Sequence, residues 1–338
     1  MSYFHLNLIL KGKLTVCCLL MSAIPLNAQR EAKQIGDFKE SISLNEHLRG
    51  TKRTLQYRPD GDEFVCVNGK NRYTRALYGS HSPFRVETSD QPVFAFYNNG
   101  RGGNISFKVI LRDGTELALD RTGYCESRYS AGKRTYYLTD PSWGKGELRI
   151  SVLALADMDG AIWRFSPSNM PKGAILRWQH GGATGKRLSR NGDMGVDPAD
   201  CFELPAEATD LVTGELALQK EVYLVRGEVP EGYNVRKLYQ QAEAASLALA
   251  SHLKIETPDP YLNTLGGALV AAADGIWDGQ VWLHGAIGWR MPLSGWRAGY
   301  TGDALGWHDR ARTHFDAYAA SQVTDVPNTI PHPAQDST

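Results

Sequence analysis

At Asn234 the hydrophobic period of this chain changes, and no other feature constrains its fold so strongly. Before that point, over about 36–233, apolar residues come as short β-branched and aromatic runs closed by turn pairs. The run 63–67 ends at Asn68-Gly69, and 93–97 ends at Asn98-Asn99-Gly100. Residues 105–111 are joined by Asp113-Gly114 to 116–119, a hairpin signal because Asp-Gly adopts the turn that matches strand twist. Further runs at 135–138, 147–154, 161–165, 175–179, 215–218 and 222–225 follow without a helical period between them. Such a series implies a large antiparallel β-sandwich over 36–233, since a parallel sheet needs a helix between successive strands.

From Asn234 the period becomes helical: Val235, Leu238, Tyr239, Ala242, Ala245 and Leu249 recur three and four residues apart. This predicts a linker helix within 234–256, ending near His252. Thr257-Pro258-Asp259-Pro260 then stops one helix and starts the next, with Asp259 as cap and Pro260 in the first turn, where its missing N–H costs nothing. The second helix, 261–276, places Leu262, Leu265, Leu269, Ala272, Ala273 and Ile276 on one stripe, and small residues elsewhere on it permit close approach by a neighbour. A third helix is expected from Asp303 or Ala304 to about Ser321, turning Trp307, Ala311, Phe315, Tyr318 and Ala319 toward a core. Together 257–325 form a helical domain, followed by an extended, Pro-containing tail at 326–338.

The N-terminus reads separately. Lys11 and Lys13 precede an apolar run from Leu14 to Leu26 and the small residue Ala28, the pattern of a secretory signal peptide over 1–28. A buried N-terminal helix is the competing reading. The run is shorter than the ~20 residues of a membrane span, so a soluble, exported protein, periplasmic or secreted, is expected. With 37 Lys+Arg against 37 Asp+Glu in 338 residues, the chain has no polyanion-binding balance, and a nucleic-acid partner is not expected. Beyond 1–28 the cysteines are Cys66, Cys125 and Cys201; their wide spacing gives no zinc or redox motif, and buried free thiols are favoured over one disulfide.

Between the second and third helices, 278–303 holds three Trp, two Arg, one Tyr, one His and six Gly in 26 residues. Loops this long inside a compact domain are usually functional. Sugars offer C–H faces to indoles and hydroxyls to Arg, Asp and His, so Trp289, Arg290, Trp296, Arg297, Tyr300, Asp303, His308 and Asp309 are candidate saccharide contacts, with oligosaccharide or polysaccharide as the partner. The opposing reading is that Trp282, Trp289 and Trp296 pack a core while the Arg and Asp residues cap helices. His284, His308 and His314 show no metal-ligand spacing, and neither a metal nor a cofactor is expected. His180-Gly181-Gly182 is similar to an esterase oxyanion turn, but no Gly-x-Ser-x-Gly elbow accompanies it.

The order of these parts resembles the N-terminal half of bacterial six-hairpin glycosidases, in which a β-supersandwich precedes an (α/α)6 toroid. The run from Trp289 to Ala311, with Trp289-Arg-Met-Pro-Leu-Ser-Gly-Trp-Arg-Ala-Gly-Tyr-Thr-Gly-Asp at its start, looks like an uncharacterised family of exported, glycan-degradation-associated proteins in that superfamily. The resemblance implies inverting hydrolysis by two carboxylic side chains. It assigns that pair to neither Asp303 nor Asp309, because the proton donor in related toroids comes from a later helix. A toroid of twelve helices needs roughly 200 residues, whereas 82 lie from Thr257 to Thr338. The chain therefore reads as an N-terminal portion carrying an incomplete toroid, not necessarily active alone, with the apolar stripes of its last helices expected to be partly uncovered. A noncatalytic carbohydrate-binding or scaffold module is the alternative, and a lyase using Tyr300 and His308 is a third.

Overall fold

The computed structural model describes residues 56–98, 101–187, 211–229, 231–283 and 292–322. The expected leader, Cys201, Trp289, Arg290 and the tail 326–338 lie outside the described residues. The remainder forms two antiparallel sheets and four α-helices.

Fourteen strands are described: β1 Arg58–Asp60, β2 Glu63–Val67, β3 Arg75–Leu77, β4 Arg85–Thr88, β5 Phe94–Asn98, β6 Arg101–Ile110, β7 Glu116–Ala118, β8 Tyr124–Ser130, β9 Lys133–Thr139, β10 Glu147–Ala154, β11 Gly160–Ser168, β12 Ile175–Arg187, β13 Val212–Ala217 and β14 Val222–Gly227. One sheet runs β1-β2-β8-β9-β10-β11-β14 and the other β13-β12-β6-β5-β4-β3, with β7 also paired to β6. The expected hairpin at Asp113-Gly114 forms as read, with Gly114 at φ 88°. The two inner faces share one core. Phe94 of the second sheet meets Tyr136 and Trp163 of the first edge-on, at 5.7 and 5.6 Å, and Phe107 meets Phe165 at 5.2 Å. These are the T-shaped geometries that aromatic quadrupoles favour.

Four strands escaped the sequence reading: β1, β3, β4 and β8. Their patterns are too short or too polar to stand out. In β8, Cys125, Ser127 and Tyr129 alternate inward, yet only Tyr129 looks apolar. All four residues of β4 are buried, including Arg85 and Glu87, which bond one another at 2.5 Å.

A polar knot ties the β4–β5 connection to the first sheet. Asp90 and Arg134 are both fully buried. Asp90 accepts from the Tyr57 hydroxyl, the Asn71 backbone N–H and Thr74, while Arg134 donates to Ser127 Oγ at 2.9 Å and faces Asp90 at 3.5 Å. Cys66 and Cys125 lie beside it as free, buried thiols, as expected, and burial pushes the Cys125 thiol up to about 12.

The helices are α1 Val235–Ala250, α2 Pro260–Gly275, α3 Pro292–Ala304 and α4 His308–Ala320. Asn234 caps α1 by accepting from Lys237 N at 3.0 Å, and Asp259 caps α2 by accepting from Tyr261 N at 2.8 Å. Helix α1 covers the outer face of the first sheet, burying Leu238, Tyr239 and Ala242 on Leu153 and Ile162.

Two expectations are corrected here. The single helix foreseen from 303 or 304 is a pair, and α3 occupies much of the presumed loop. Gly306, at φ 79°, ends α3: its N–H bonds Asp303 O and the Trp307 N–H bonds Gly302 O, the paired C-terminal closure that glycine permits. The leucine stripe of α2 is also not its buried side. Thr264, Gly266, Val270, Ala271 and Ala273 are buried, while Leu262 and Leu269 are 48% and 51% exposed. The reason is close approach: a Cβ on Gly267 would stand 3.2 Å from Ala131 and Ala250, so the small side is the one that fits. Phe315 of α4 is exposed too, so both stripes are partly uncovered, as expected.

Candidate functional site

Of the residues expected to bind sugar, those among the described residues lie on α3, the α3–α4 turn and the start of α4. Asp303 and His308 meet across the α3–α4 turn at 2.6 Å, but both are largely exposed, and such a pair contributes about 0–1 kcal/mol. Tyr300 is 58% exposed, with its ring 6.1 Å from Phe315. Arg297 is exposed on α3 and Asp309 in the first turn of α4, where a carboxylate complements the helix dipole. Trp296 lies in α3, and its side chain is outside the described residues. Trp282 is fully buried, its indole N–H held by Ala273 O at 2.9 Å and its backbone N–H by His314 Nδ1 at 3.0 Å. For that one Trp the packing reading is the correct one.

Convergent chemistry appears elsewhere, where the sandwich meets the helices. A crevice of about 280 Å³ opens between the segment after β3, the end of β10, and α1, α2 and α4. Its floor is alanine, from Ala76, Ala154, Ala242 and Ala271, and Tyr78 and Tyr129 flank it. At its rim, Asp274 Oδ1 accepts from Arg310 Nη1 at 2.7 Å and sits 3.2 Å from His81 Nε2.

Each member of this trio is placed by identifiable constraints. His81 is flanked by Ser80 and Ser82, whose hydroxyls both donate to Asp159 Oδ1 in the β10–β11 turn, at 2.7 and 2.5 Å. The segment comes close enough only because residue 79 is glycine; a Cβ there would fall 1.8 Å from Leu155 O. Asp274 ends α2 beside Gly275, where a Cβ would strike the Tyr78 ring at 2.2 Å. Arg310 projects from α4 with its guanidinium 4.7 Å from the Trp307 ring and 5.8 Å from that of Trp277. Trp307 in turn stacks on His252 at 5.4 Å. The cation is thus laid on indole faces, which restricts its rotamers and adds cation–π attraction.

Electrostatics fix the protonation of this rim. Burial alone would raise the Asp274 carboxyl, but hydrogen bonds from His81 and Arg310 outweigh it and hold the group below the ordinary value. Asp274 is therefore an anion at neutral pH. Burial raises the Tyr78 hydroxyl above its ordinary value, so it stays protonated and able to donate. The rim presents a fixed carboxylate, a guanidinium fork and an imidazole over an apolar floor, which suits binding and orienting a polyhydroxylated ligand.

Sequence reading missed His81 and Asp274 as site residues and had Arg310 only inside a motif. Positions 81 and 274 are 193 residues apart and carry no shared spacing signal. Only the two glycines, at 79 and 275, hinted at close approaches.

Residues 99–229 match the family model described as a domain of unknown function (DUF4450). That span runs from the start of β6 to just past β14 and contains none of His81, Asp274 and Arg310. Among curated proteins, none matches the chain. Among the described residues, no helix is long and apolar enough to cross a membrane, and no group of three or more His, Cys, Asp or Glu could hold a metal ion.

Proposed function

We propose that this chain is the saccharide-recognising part of an exported glycan-processing protein, and that it binds sugar in the crevice between the sandwich and the helices. The observation that carries the reading is the Arg310–Asp274–His81 rim above an alanine floor flanked by Tyr78 and Tyr129. Hydroxyl pairs suit the alternating acceptor and donors of such a rim, and C–H faces suit the floor. Two further parts of the reading rest on the sequence resemblance. With α1 as the linker, α2, α3 and α4 would be the first helices of an (α/α) ring, and the partly uncovered faces of α2 and α4 support that placement. Inverting hydrolysis takes two carboxyl groups about 6.5–9.5 Å apart, and among the described residues Asp274 is the one carboxylate lining this crevice.

The test is calorimetric titration of the chain with neutral oligosaccharides from plant and host polysaccharides. Asp274→Asn and Arg310→Met are expected to weaken a binding sugar about tenfold or more, because a buried donor or acceptor loses its partner. Trp289→Ala and Arg297→Ala test the alternative location on the 281–303 segment. If those two abolish binding while the crevice variants keep it, the crevice reading is wrong.

A further inference from the structure

The outer face of the second sheet carries a groove remote in sequence from the crevice. Along β6 and β12 side chains alternate, so Ile105, Phe107 and Leu176 enter the core while Asn104, Ser106 and Gln179 face outward. The register sets Ser106 beside Gln179 and Lys108 beside Arg177. Asn104 stands between Ala95 of β5 and Gly181 of β12, so neither neighbour is long enough to cover its amide. These residues floor a groove of about 340 Å³, bounded on the β5 side by Arg72, Pro92 and Val93. The buried polar knot holds that boundary in place. Asn71 and Asp90 exchange hydrogen bonds at 2.9 Å, and the Tyr73 N–H donates to Ser89 Oγ at 2.9 Å. Arg72 lies between these anchors, so the groove is formed before any ligand arrives.

The floor is polar and unengaged. Among the described residues, no hydrogen bond reaches the side chain of Asn104, Ser106 or Gln179, although Asn104 is only 6% exposed and the other two are half-buried. Buried amides are nearly always paired, and the Asn104 amide has the groove itself as the place to find a partner. The charges around the groove, by contrast, are balanced. Lys108 Nζ donates to Glu116 at 2.7 Å, and Arg177 pairs with Glu116 at 3.1 Å and Glu215 at 2.7 Å. Arg72 and Asp120 add one charge of each sign. Such a lining has no net charge to recruit an ion. It offers amides and a hydroxyl, which donate and accept together as vicinal sugar hydroxyls do, and C–H surface from Pro92, Val93 and Ala118.

We propose that this groove is a second saccharide site, taking a neutral oligosaccharide segment along the sheet face. Its hydroxyls would bond Asn104, Ser106 and Gln179, and its C–H surface would rest on Val93 and Ala118. The class of ligand rests on the saccharide reading above; the site does not, and it shares no residue with the crevice.

The experiment is calorimetric titration and saturation-transfer NMR of the full chain with cellohexaose, xylohexaose and maltohexaose, with hexagalacturonate as the charged control. At least one neutral hexasaccharide is expected to bind Asp274→Asn, in which the crevice is impaired, and to bind it equally at low and high salt. In that background, Gln179→Ala and Ser106→Ala should each weaken the remaining binding by about threefold or more, because each removes a hydrogen-bonding group from the floor. Both positions are half-buried on a sheet face, and far-ultraviolet circular dichroism checks their folding. Should Asp274→Asn not fold, Arg310→Met takes its place. Binding that Asp274→Asn abolishes supports the crevice and overturns the groove. Binding that Asp274→Asn leaves intact and Gln179→Ala weakens supports the groove and overturns the crevice. Residual binding indifferent to both Gln179→Ala and Ser106→Ala overturns the groove, as does failure of the wild-type chain to bind any of the three neutral probes. Hexagalacturonate binding more tightly than all three overturns the assignment to a neutral ligand.

Discussion

Asp274 links the chemistry of the crevice to the stability of the junction that holds it. Its folded-state carboxyl is held below the ordinary value by Arg310 and His81. A group depressed on folding contributes stability that is present above its unfolded pKa and is lost as pH falls through its folded one. Asp274→Asn is therefore expected to cost about 2 kcal/mol near pH 7, because hydrogen bonds to charged groups are the stronger ones. The difference between variant and wild type should persist down to about pH 4 and shrink below it. Urea unfolding of both proteins at about pH 7, 4 and 2.5 measures this, and an undiminished difference at the lowest pH would refute the assignment. Gly79 and Gly275 make the complementary case from sterics. Gly79→Ala places a methyl against Leu155 O and Gly275→Ala one against Tyr78, and each is expected to cost about 1–3 kcal/mol as overpacking. Both should also misplace the crevice rim, so saccharide binding and midpoint denaturant concentration should fall together.

At the scale of elements, the two sides of α2 should respond in opposite ways to substitution. Leu269 is half exposed, so Leu269→Ala is expected to change stability by less than about 0.5 kcal/mol. Gly267→Leu, on the packed side, has only 3.2 Å to Ala131 and Ala250 and should cost about 1–3 kcal/mol or more. Thermal unfolding of the two variants checks the pair; a larger loss for Leu269→Ala would mean that the leucine stripe is the buried one. Helix starts were legible in the sequence because a cap is a local interaction: Asn234 and Asp259 each bond an N–H two or three residues away. The end of α3 was equally local, since Leu305-Gly306 carries the glycine that a closing turn needs, and a Trp- and Gly-rich run drew attention away from it. Which face of α2 packs was not local. An alternating-size helix offers two plausible sides, and only the distance to α1 and Ala131 selects the small one.

For the molecule as a whole, the shared aromatic core makes the two sheets one cooperative body. Trp163 of the first sheet touches Phe94, Phe96 and Phe107 of the second. Trp163→Ala is expected to cost about 3–5 kcal/mol, and near- and far-ultraviolet circular dichroism should then show both sheets melting in the same transition. Separate transitions would contradict a common core. The sandwich-like arrangement, the linker helix and most strand positions followed from the sequence alone, because hydrophobic period and turn chemistry act over a few residues and are written locally. The candidate crevice was not written that way: His81, Asp274 and Arg310 come from a strand exit, a helix end and another helix, and became a site only when packing brought them within 3.2 Å. Burial pattern is a property of segments, whereas a polar constellation is a property of where segments meet, and the meeting depends on the whole tertiary structure.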